Sequence, residues 1–304
     1  MTRIILVLAL LSAFAPLSID MYLPALPAIG AELGGGIQGA QGTLAAFFAG
    51  MAIGQLIHGP LSDRFGRRPP LLAGLALYVL ASIGCALAAG MPPLVALRFV
   101  QALAGCAGMV IARAVVRDLA DSMDPVRMMA RLMLVMGVAP ILAPLLGGWV
   151  AAGFGWRAIF WVLAAVGALA LLLCALFLPE TLPPGRRQRG GLGATLRGAA
   201  RLLGDARFLG AALPGACAIA GMFAGSPFVF IALHGVAPAD YGWLFGGAAV
   251  GIIGASQLAG RLADAWGREA LLTRALAALA AVALGILLAS AAPLPVLYVV
   301  VWLY

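Results

Sequence analysis

Few side chains in this sequence could do chemistry, and two stand out by where they sit. Asp20 is the only carboxylate within the apolar stretches of the first half, in the run Ser18-Ile19-Asp20-Met21-Tyr22-Leu23-Pro24-Ala25-Leu26-Pro27, and Arg98 lies inside another apolar stretch just after Leu94. A carboxyl group held at lipid depth can take up and release a proton under physiological conditions, and an arginine at that depth is costly unless paired or wet. The helix from Ile4 to Asp20 rises about 24 Å, while Arg98 lies roughly 6 Å in from Leu94 on a helix running the other way. In an apolar layer about 30 Å thick the two reach similar depth, which predicts that Asp20 and Arg98 interact directly or through Gln101 or water. Such a pair would exchange a proton for a solute, with Arg98 tuning the carboxyl group. Two plainer readings stand beside it: Asp20 caps a proline-broken helix, and Arg98 reaches the nearer interface.

Other chemistries lack their residues. There is no HExxH, no phosphate loop and no Ser/His/Asp set near one interface, so an enzyme is not expected. Cys85, Cys106, Cys174 and Cys217 lie inside apolar runs without CxxC spacing and read as packing. No metal and no cofactor is expected, the proton being the coupling ion.

The elements that must hold Asp20 and Arg98 follow from composition. Hydrophobic residues make up 64% and charged ones 10%, against about half and about a quarter in a soluble domain. The apolar residues fall in runs of spanning length, about 20 residues: 4–26, 40–61, 71–90, 94–116, 128–153, 158–178, 208–233, 242–262 and 271–291, with a tenth beginning near Leu294. The fold class is therefore an all-α integral membrane bundle. Arg64, Arg67 and Arg68, then Arg113, Arg117, Arg127 and Arg131, then Arg186, Arg187, Arg189, Arg197, Arg201 and Arg207, then Arg261, Arg268 and Arg274 cluster at alternate loops, with Arg157 the exception. That alternation predicts a multi-pass protein of the cytoplasmic (inner) membrane with its N-terminus in the cytoplasm, and it explains the net charge of +8 without nucleic acid. Membrane lipid and a small-molecule substrate are the expected partners, and a monomer the expected state. The N-terminal stretch resembles a signal peptide, but its apolar character continues past Pro16, so it is read as the uncleaved first span.

An internal repeat orders the spans. Gly59-Pro60-Leu61-Ser62-Asp63-Arg64-Phe65-Gly66-Arg67 ends the second span and Gly260-Arg261-Leu262-Ala263-Asp264-Ala265-Trp266-Gly267-Arg268 ends the eighth, 201 positions later. This reads as a duplicated six-helix unit: residues 1–180 form an N-terminal six-helix half, 181–206 a cytoplasmic central linker, and 207–304 about three and a half spans of a second half. Substrate is expected at the midplane between the halves.

Gly59, Leu61, Asp63, Arg64, Gly66, Arg67 and Arg68 match the GxLaDrxGrk signature, and the chain resembles the major facilitator transporters. Gly260, Asp264, Gly267 and Arg268 are its weaker echo. The resemblance implies a two-half bundle in which this loop is a cytoplasmic latch: its aspartate engages the eleventh helix and an arginine pairs with an acidic residue after the fourth, here Asp118. The residues alone also allow a solvated basic loop. Leu94, Arg98, Gln101 and Gly105 resemble the family's RxxQGxG pattern, with Ala102 and Ala104 where glycines are usual. Gly137, Pro140, Ala143, Pro144, Gly147 and Gly148 resemble its antiporter motif, a kinked helix with a smooth face, although any kinked helix shows similar residues. Ser18 to Pro27, Trp156-Arg157 and Pro179-Glu180-Thr181-Leu182 resemble the bicyclomycin-resistance group of drug:proton antiporters.

That resemblance implies a proton-coupled exporter of drug-like molecules; another solute, such as a sugar or metabolite, is the alternative. Met21, Tyr22, Phe47, Gln101, Met109, Met136 and Phe223 are candidates to line an adaptable cavity, or are ordinary packing. His58 and His234 read as interface histidines, and Glu180 and Asp205 as solvated linker residues. Family members have twelve spans. This sequence stops within its tenth, so it is expected to be either a transporter whose remaining residues lie outside it or a remnant or partner subunit that does not transport.

Overall fold

In a lipid core no water is present to satisfy a bare backbone, so long apolar runs must close their own hydrogen bonds as helices. The computed structural model describes residues 2–119, 125–187 and 192–288, and these are helical almost throughout: α1 (Thr2–Asp20), α2 (Leu26–Glu32), α3 (Gly36–Phe65), α4 (Arg68–Ala86), α5 (Met91–Asp118), α6 (Pro125–Phe154), α7 (Trp156–Phe177), α8 (Leu192–Leu203), α9 (Ala206–Pro227), α10 (Pro238–Trp266) and α11 (Arg268–Leu288). Among the described residues seven stretches are long and apolar enough to cross a membrane: Ile4–Glu32, Gly36–Phe65, Arg68–Ala86, Met91–Asp118, Leu132–Phe154, Trp156–Phe177 and Ala206–Leu233. α10 and α11 stand where the eighth and ninth spans are expected. The tenth, from Leu294, lies outside the described residues, as do the side chains of Arg127 and Arg131.

The first span is broken. α1 stops at Asp20, a 3-10 turn covers Leu23–Ala25, and α2 resumes to Glu32. Pro24 and Pro27 have no N–H to continue the ladder. The Tyr22 N–H turns back to the Ile19 carbonyl at 3.2 Å, which leaves the Ser18 carbonyl without its usual helical partner.

α5 is the centre of the first half, packed against α3 on one side and α4 on another. Close approach rests on missing side chains: a Cβ on Gly50 of α3 would collide with the Phe99 carbonyl of α5 and stand 3.2 Å from the Ala102 Cβ. Cys85, Cys106 and Cys174 are buried, but Cys217 is exposed on α9 and is not core packing. α3 and α10 end alike. Gly66 (φ +95°) and Gly267 (φ +79°) both take the left-handed conformation, donating to Ser62 and Ala263, so the repeat in sequence is also a repeat in backbone. α8 is an element that the reading of 181–206 as a plain linker did not foresee.

Gly50→Val should therefore force α3 from α5 and lower stability by about 1–3 kcal/mol, read as a lower unfolding temperature in detergent, whereas Gly42→Val, with nothing within 4 Å, should not.

Candidate functional site

The Arg98 guanidinium is fully buried; its two terminal nitrogens are bonded and aromatic rings flank it, while its Nε has no hydrogen-bond partner among the described residues. The group donates to the Ser18 carbonyl left free by the helix break, at 3.1 Å, and to Gln101 Oε1 at 2.6 Å. Phe47 and Tyr22 present ring faces with centroids 4.2 and 4.4 Å from its central carbon, and Phe160 stands further off at 5.6 Å. Aromatic faces stabilise a cation without bringing a second charge into lipid. Behind Arg98 runs a chain of polar contacts: Gln101 Nε2 donates to Ser82 Oγ at 2.8 Å, Ser82 donates to the Tyr78 carbonyl at 2.7 Å, and the Tyr78 and Ser18 hydroxyls share a 2.6 Å bond. The Tyr22 hydroxyl meets Thr43 at 2.8 Å. Arg98 does not reach for the interface.

Nor does it meet Asp20. The direct contact is not formed, nor one through Gln101: among the described residues no hydrogen bond or ion pair joins either side chain to Asp20. Equal depth does not fix direction around the helix axis, and Asp20, two positions beyond Ser18, points about 200° away at 100° per residue. Asp20 is 2% exposed, its Oδ1 has no partner and it caps nothing. It lies within electrostatic range of Tyr241 of α10, in the second half. The Tyr241 hydroxyl is itself engaged with Ser226 of α9 at 2.8 Å.

This seam is built on the glycines of α6, which runs as one helix through Pro140 and Pro144. A Cβ on Gly147 would collide with the Met21 backbone, and one on Gly148 with the Pro238 carbonyl at the start of α10. From the other side a Cβ on Gly242 would sit 2.5 Å from Leu145 Cα. Gln41 of α3 donates to the Ala224 carbonyl of α9 at 3.1 Å, and Phe223 stands 6.0 Å from Phe48 and 5.6 Å from Phe245, centroid to centroid. All these contacts lie toward the end opposite the arginine-rich loops. The halves are thus closed there, with Asp20 beside the closure.

A small void of about 10 Å³, room for about one water, lies within the first half, between Phe14, Ala15, Ser18, Phe47, Met51, Tyr78, Ala102, Gly105, Cys106 and Met109. Of the residues expected to line a cavity it takes Phe47 and Met109. Met21 is buried against Gly147, Tyr22 and Gln101 serve Arg98, Phe223 belongs to the seam, and Met136, like Gly137, is half-buried on α6. Phe14, Met51 and Tyr78 were not foreseen; at 3.6 residues per turn Phe14 and Ser18 share a face of α1, which is the signal that could have found Phe14.

At the arginine-rich end Arg67 ties the latch together. Its guanidinium donates to Asp118 at 2.8 and 3.2 Å, to Ser62 at 2.9 Å and to Asp63 at 2.5 Å. Burial works against its charge, but the two carboxylates outweigh that and raise its pKa. Thr181 donates to Asp118 at 3.0 Å. Glu180 is not a solvated linker residue: its carboxylate accepts the N–H groups of Arg67 at 2.8 Å and Arg68 at 3.1 Å, at the N-terminus of α4, and that of Leu182 at 3.0 Å. Burial alone would raise the Glu180 pKa, but these donors and the nearby Arg187 charge hold it below its ordinary value. Gly66 is needed twice over, for its positive φ and because a Cβ would stand 2.5 Å from Glu180 Oε2. Gly59, the first glycine of the signature, has nothing within 4 Å. Leu61 is half-buried, Arg64 lies by the Phe65 ring, and Arg68 donates to the Ala175 carbonyl at 2.5 Å. In the echo, Asp264 is exposed, while the side chains of Gly260 and Arg268 are outside those described.

His58 is buried and bonded to the Leu103 carbonyl at 2.8 Å, a core rather than an interface residue. Asp205 accepts from the Arg207 and Phe208 N–H groups, at 2.9 and 3.3 Å, as the N-cap of α9.

Two outcomes test the latch. Asp118→Asn leaves Arg67 with a weakened partner and should cost about 1–3 kcal/mol, most of it recovered in Asp118→Asn/Arg67→Gln, as a double-mutant cycle on unfolding in detergent would read. The lowered Glu180 pKa means that its contribution is complete above the unfolded value, about 4.3, and is lost as pH falls through the folded value. Glu180→Gln should therefore unfold at lower temperature than the parent near neutrality, and the gap should close below about pH 4.

Residues 8–304 match the Major Facilitator Superfamily. The chain is 40% identical over 259 residues to the uncharacterized MFS-type transporter YdgK of Bacillus subtilis, covering 84% of this chain and 64% of that one. It is 35% identical over 276 residues to a bicyclomycin resistance protein homolog of Haemophilus influenzae, covering 90% and 69%, and 36% identical over 184 residues to the multidrug resistance protein MdtL of Escherichia coli, covering 60% and 47%. It therefore spans about two thirds or less of the length of these relatives. Among solved structures the fold resembles a D-xylose-proton symporter (TM-score 0.72, 18% identity, covering 100% of this chain and 78% of that one) and a bacterial homolog of the lysosomal transporter Spinster (TM-score 0.73, 18% identity, covering 99% and 71%). With the latch between α3 and α4, its backbone echo after α10 and this match across nearly its whole length, the chain belongs to the Major Facilitator Superfamily, among relatives of the bicyclomycin-resistance type.

Proposed function

We propose that the chain is, or is part of, a proton-coupled secondary transporter that exports drug-like small organic molecules across the cytoplasmic membrane, with its N-terminus in the cytoplasm. The observation that carries this reading is Asp20, a carboxyl group buried beside the seam between the halves, with its Oδ1 unpartnered among the described residues. An unpaired charge there is costly, so the proton stays while the seam is closed and leaves when the seam opens to water. The arginine-rich loops set the orientation, and the closed end then faces away from the cytoplasm.

An apolar cargo is the class we favour: the void of about 10 Å³ holds none in this closed arrangement, but the side chains around it are mostly aromatic, methionine and alanine, and the hydroxyls of Ser18 and Tyr78 are spent on each other. The names of two relatives, a bicyclomycin resistance homolog and a multidrug resistance protein, support the same class. The proton is the only coupling species invoked, and the working unit is a monomer.

Asp20→Asn should reduce proton-driven efflux of a dye or antibiotic, measured in an efflux-deficient bacterial host, to the level of the host alone, with surface expression unchanged. Full efflux by that variant refutes the reading.

A further inference from the structure

The central linker contains a helix that neither half requires. In α8 the residues Leu192, Leu196, Ala199 and Leu203 fall on one side at 100° per residue, and Arg197 and Arg201 on the other. Leu196 is 47% and Leu203 67% exposed, so the apolar side is not covered by the protein, although α8 does touch α3 and α9. A helix of this length is marginal on its own in water. Its place is telling: it ends at Leu203, and α9, an apolar span, begins at Ala206 with the exposed Phe208 close behind. The leucine side thus continues the apolar surface of a span at the level where that span leaves the bilayer.

Charge identifies what lies against the other side. Between Glu180 and Asp205 the sequence has no acidic residue but has Arg186, Arg187, Arg189, Arg197 and Arg201. Arg187 is engaged by the Leu182 carbonyl and Glu180, and Arg197 bonds only to a carbonyl of its own helix, that of Gly193. Arg186 and Arg201 have no partner among the described residues. We infer that α8 lies along the headgroup layer of the chain's own bilayer, its leucines in the acyl region and its arginines on the headgroups of anionic phospholipid, so that the linker is an anionic-lipid site. Guanidinium groups suit phosphate because they donate in a planar fork. The choice of leaflet follows the orientation proposed above; the contact itself does not depend on it.

The test uses the full chain in nanodiscs of phosphatidylcholine, alone or mixed with phosphatidylglycerol, with a spin label at Leu203→Cys or Gly198→Cys in a Cys217→Ser background. Both leaflets of a nanodisc carry the same lipid, so the outcome is independent of orientation and of transport. The label at 203 should collide more with oxygen than with a water-soluble nickel chelate, and the label at 198 the reverse. Phosphatidylglycerol should shift the 203 label further toward oxygen, and Arg197→Gln/Arg201→Gln should abolish that shift. Leu196→Cys serves in place of Leu203→Cys if the latter fails to fold. Equal chelate access at 203 and 198 overturns the inference, since α8 then stands in water. So does a label at 203 shielded from both reagents, because protein or a second copy then covers the face, and so does a response indifferent to phosphatidylglycerol.

Discussion

A charge within a lipid core has to be satisfied by the protein that carries it, and the first half is arranged around that demand from Arg98. No carboxylate answers it. The break in α1 diverts the Tyr22 N–H to Ile19 and frees the Ser18 carbonyl as one acceptor; Gln101 is the other, steadied by Ser82 and through it by α4. Three aromatic rings cover the rest. The same guanidinium therefore joins α1, α3, α5 and α7, and the helix break is a binding partner as much as a hinge.

The two ends of the bundle are held by different physics. At the arginine-rich end a charge network lies wholly within the first half: Arg67 bridges Asp63 and Asp118, and Glu180 binds the N-terminus of α4, so the end of the sixth span is fastened to the loop between the second and third. Such bonds are directional and depend on protonation. At the opposite end the contacts are steric, backbone against backbone: Gly147 packs on Met21 within the first half, while Gly148 against Pro238 and Gly242 against Leu145 cross between halves. Close-packed glycine faces can separate without leaving a charge unpaired, which suits the opening and closing that the proposed transport cycle requires.

Much of this was legible. Apolar runs gave the helices to within a few residues, because length and hydrophobicity set spans directly, and the GxLaDrxGrk match placed Arg67 and Asp118 in one loop region. What failed did so for geometric reasons. Depth along a helix says nothing of azimuth, so Asp20 and Arg98 were brought level but not together. Glu180 follows a span and looks like the first solvated residue of a linker; only the fold turns it onto α4. α8 escaped notice because its apolar positions are too few and too interrupted to read as a span. Tyr241 and Ser226 carry no signal in sequence, since a hydroxyl in an apolar run is common and its partner lies on another helix.

In the transport cycle we propose, the placement of Asp20 ties the proton to the closure. Met21, the next residue, is the backbone on which Gly147 rests, and Tyr241, within electrostatic range of Asp20, adjoins Gly242 where α10 meets α6. Parting α6 and α10 from the break in α1 would open a path for water toward the carboxyl group. In the proposed cycle no separate relay is needed between protonation and opening, because both act on the same few ångströms of backbone. Arg98, fixed on the other side of that helix by the Ser18 carbonyl, holds the break in place while its far side comes and goes.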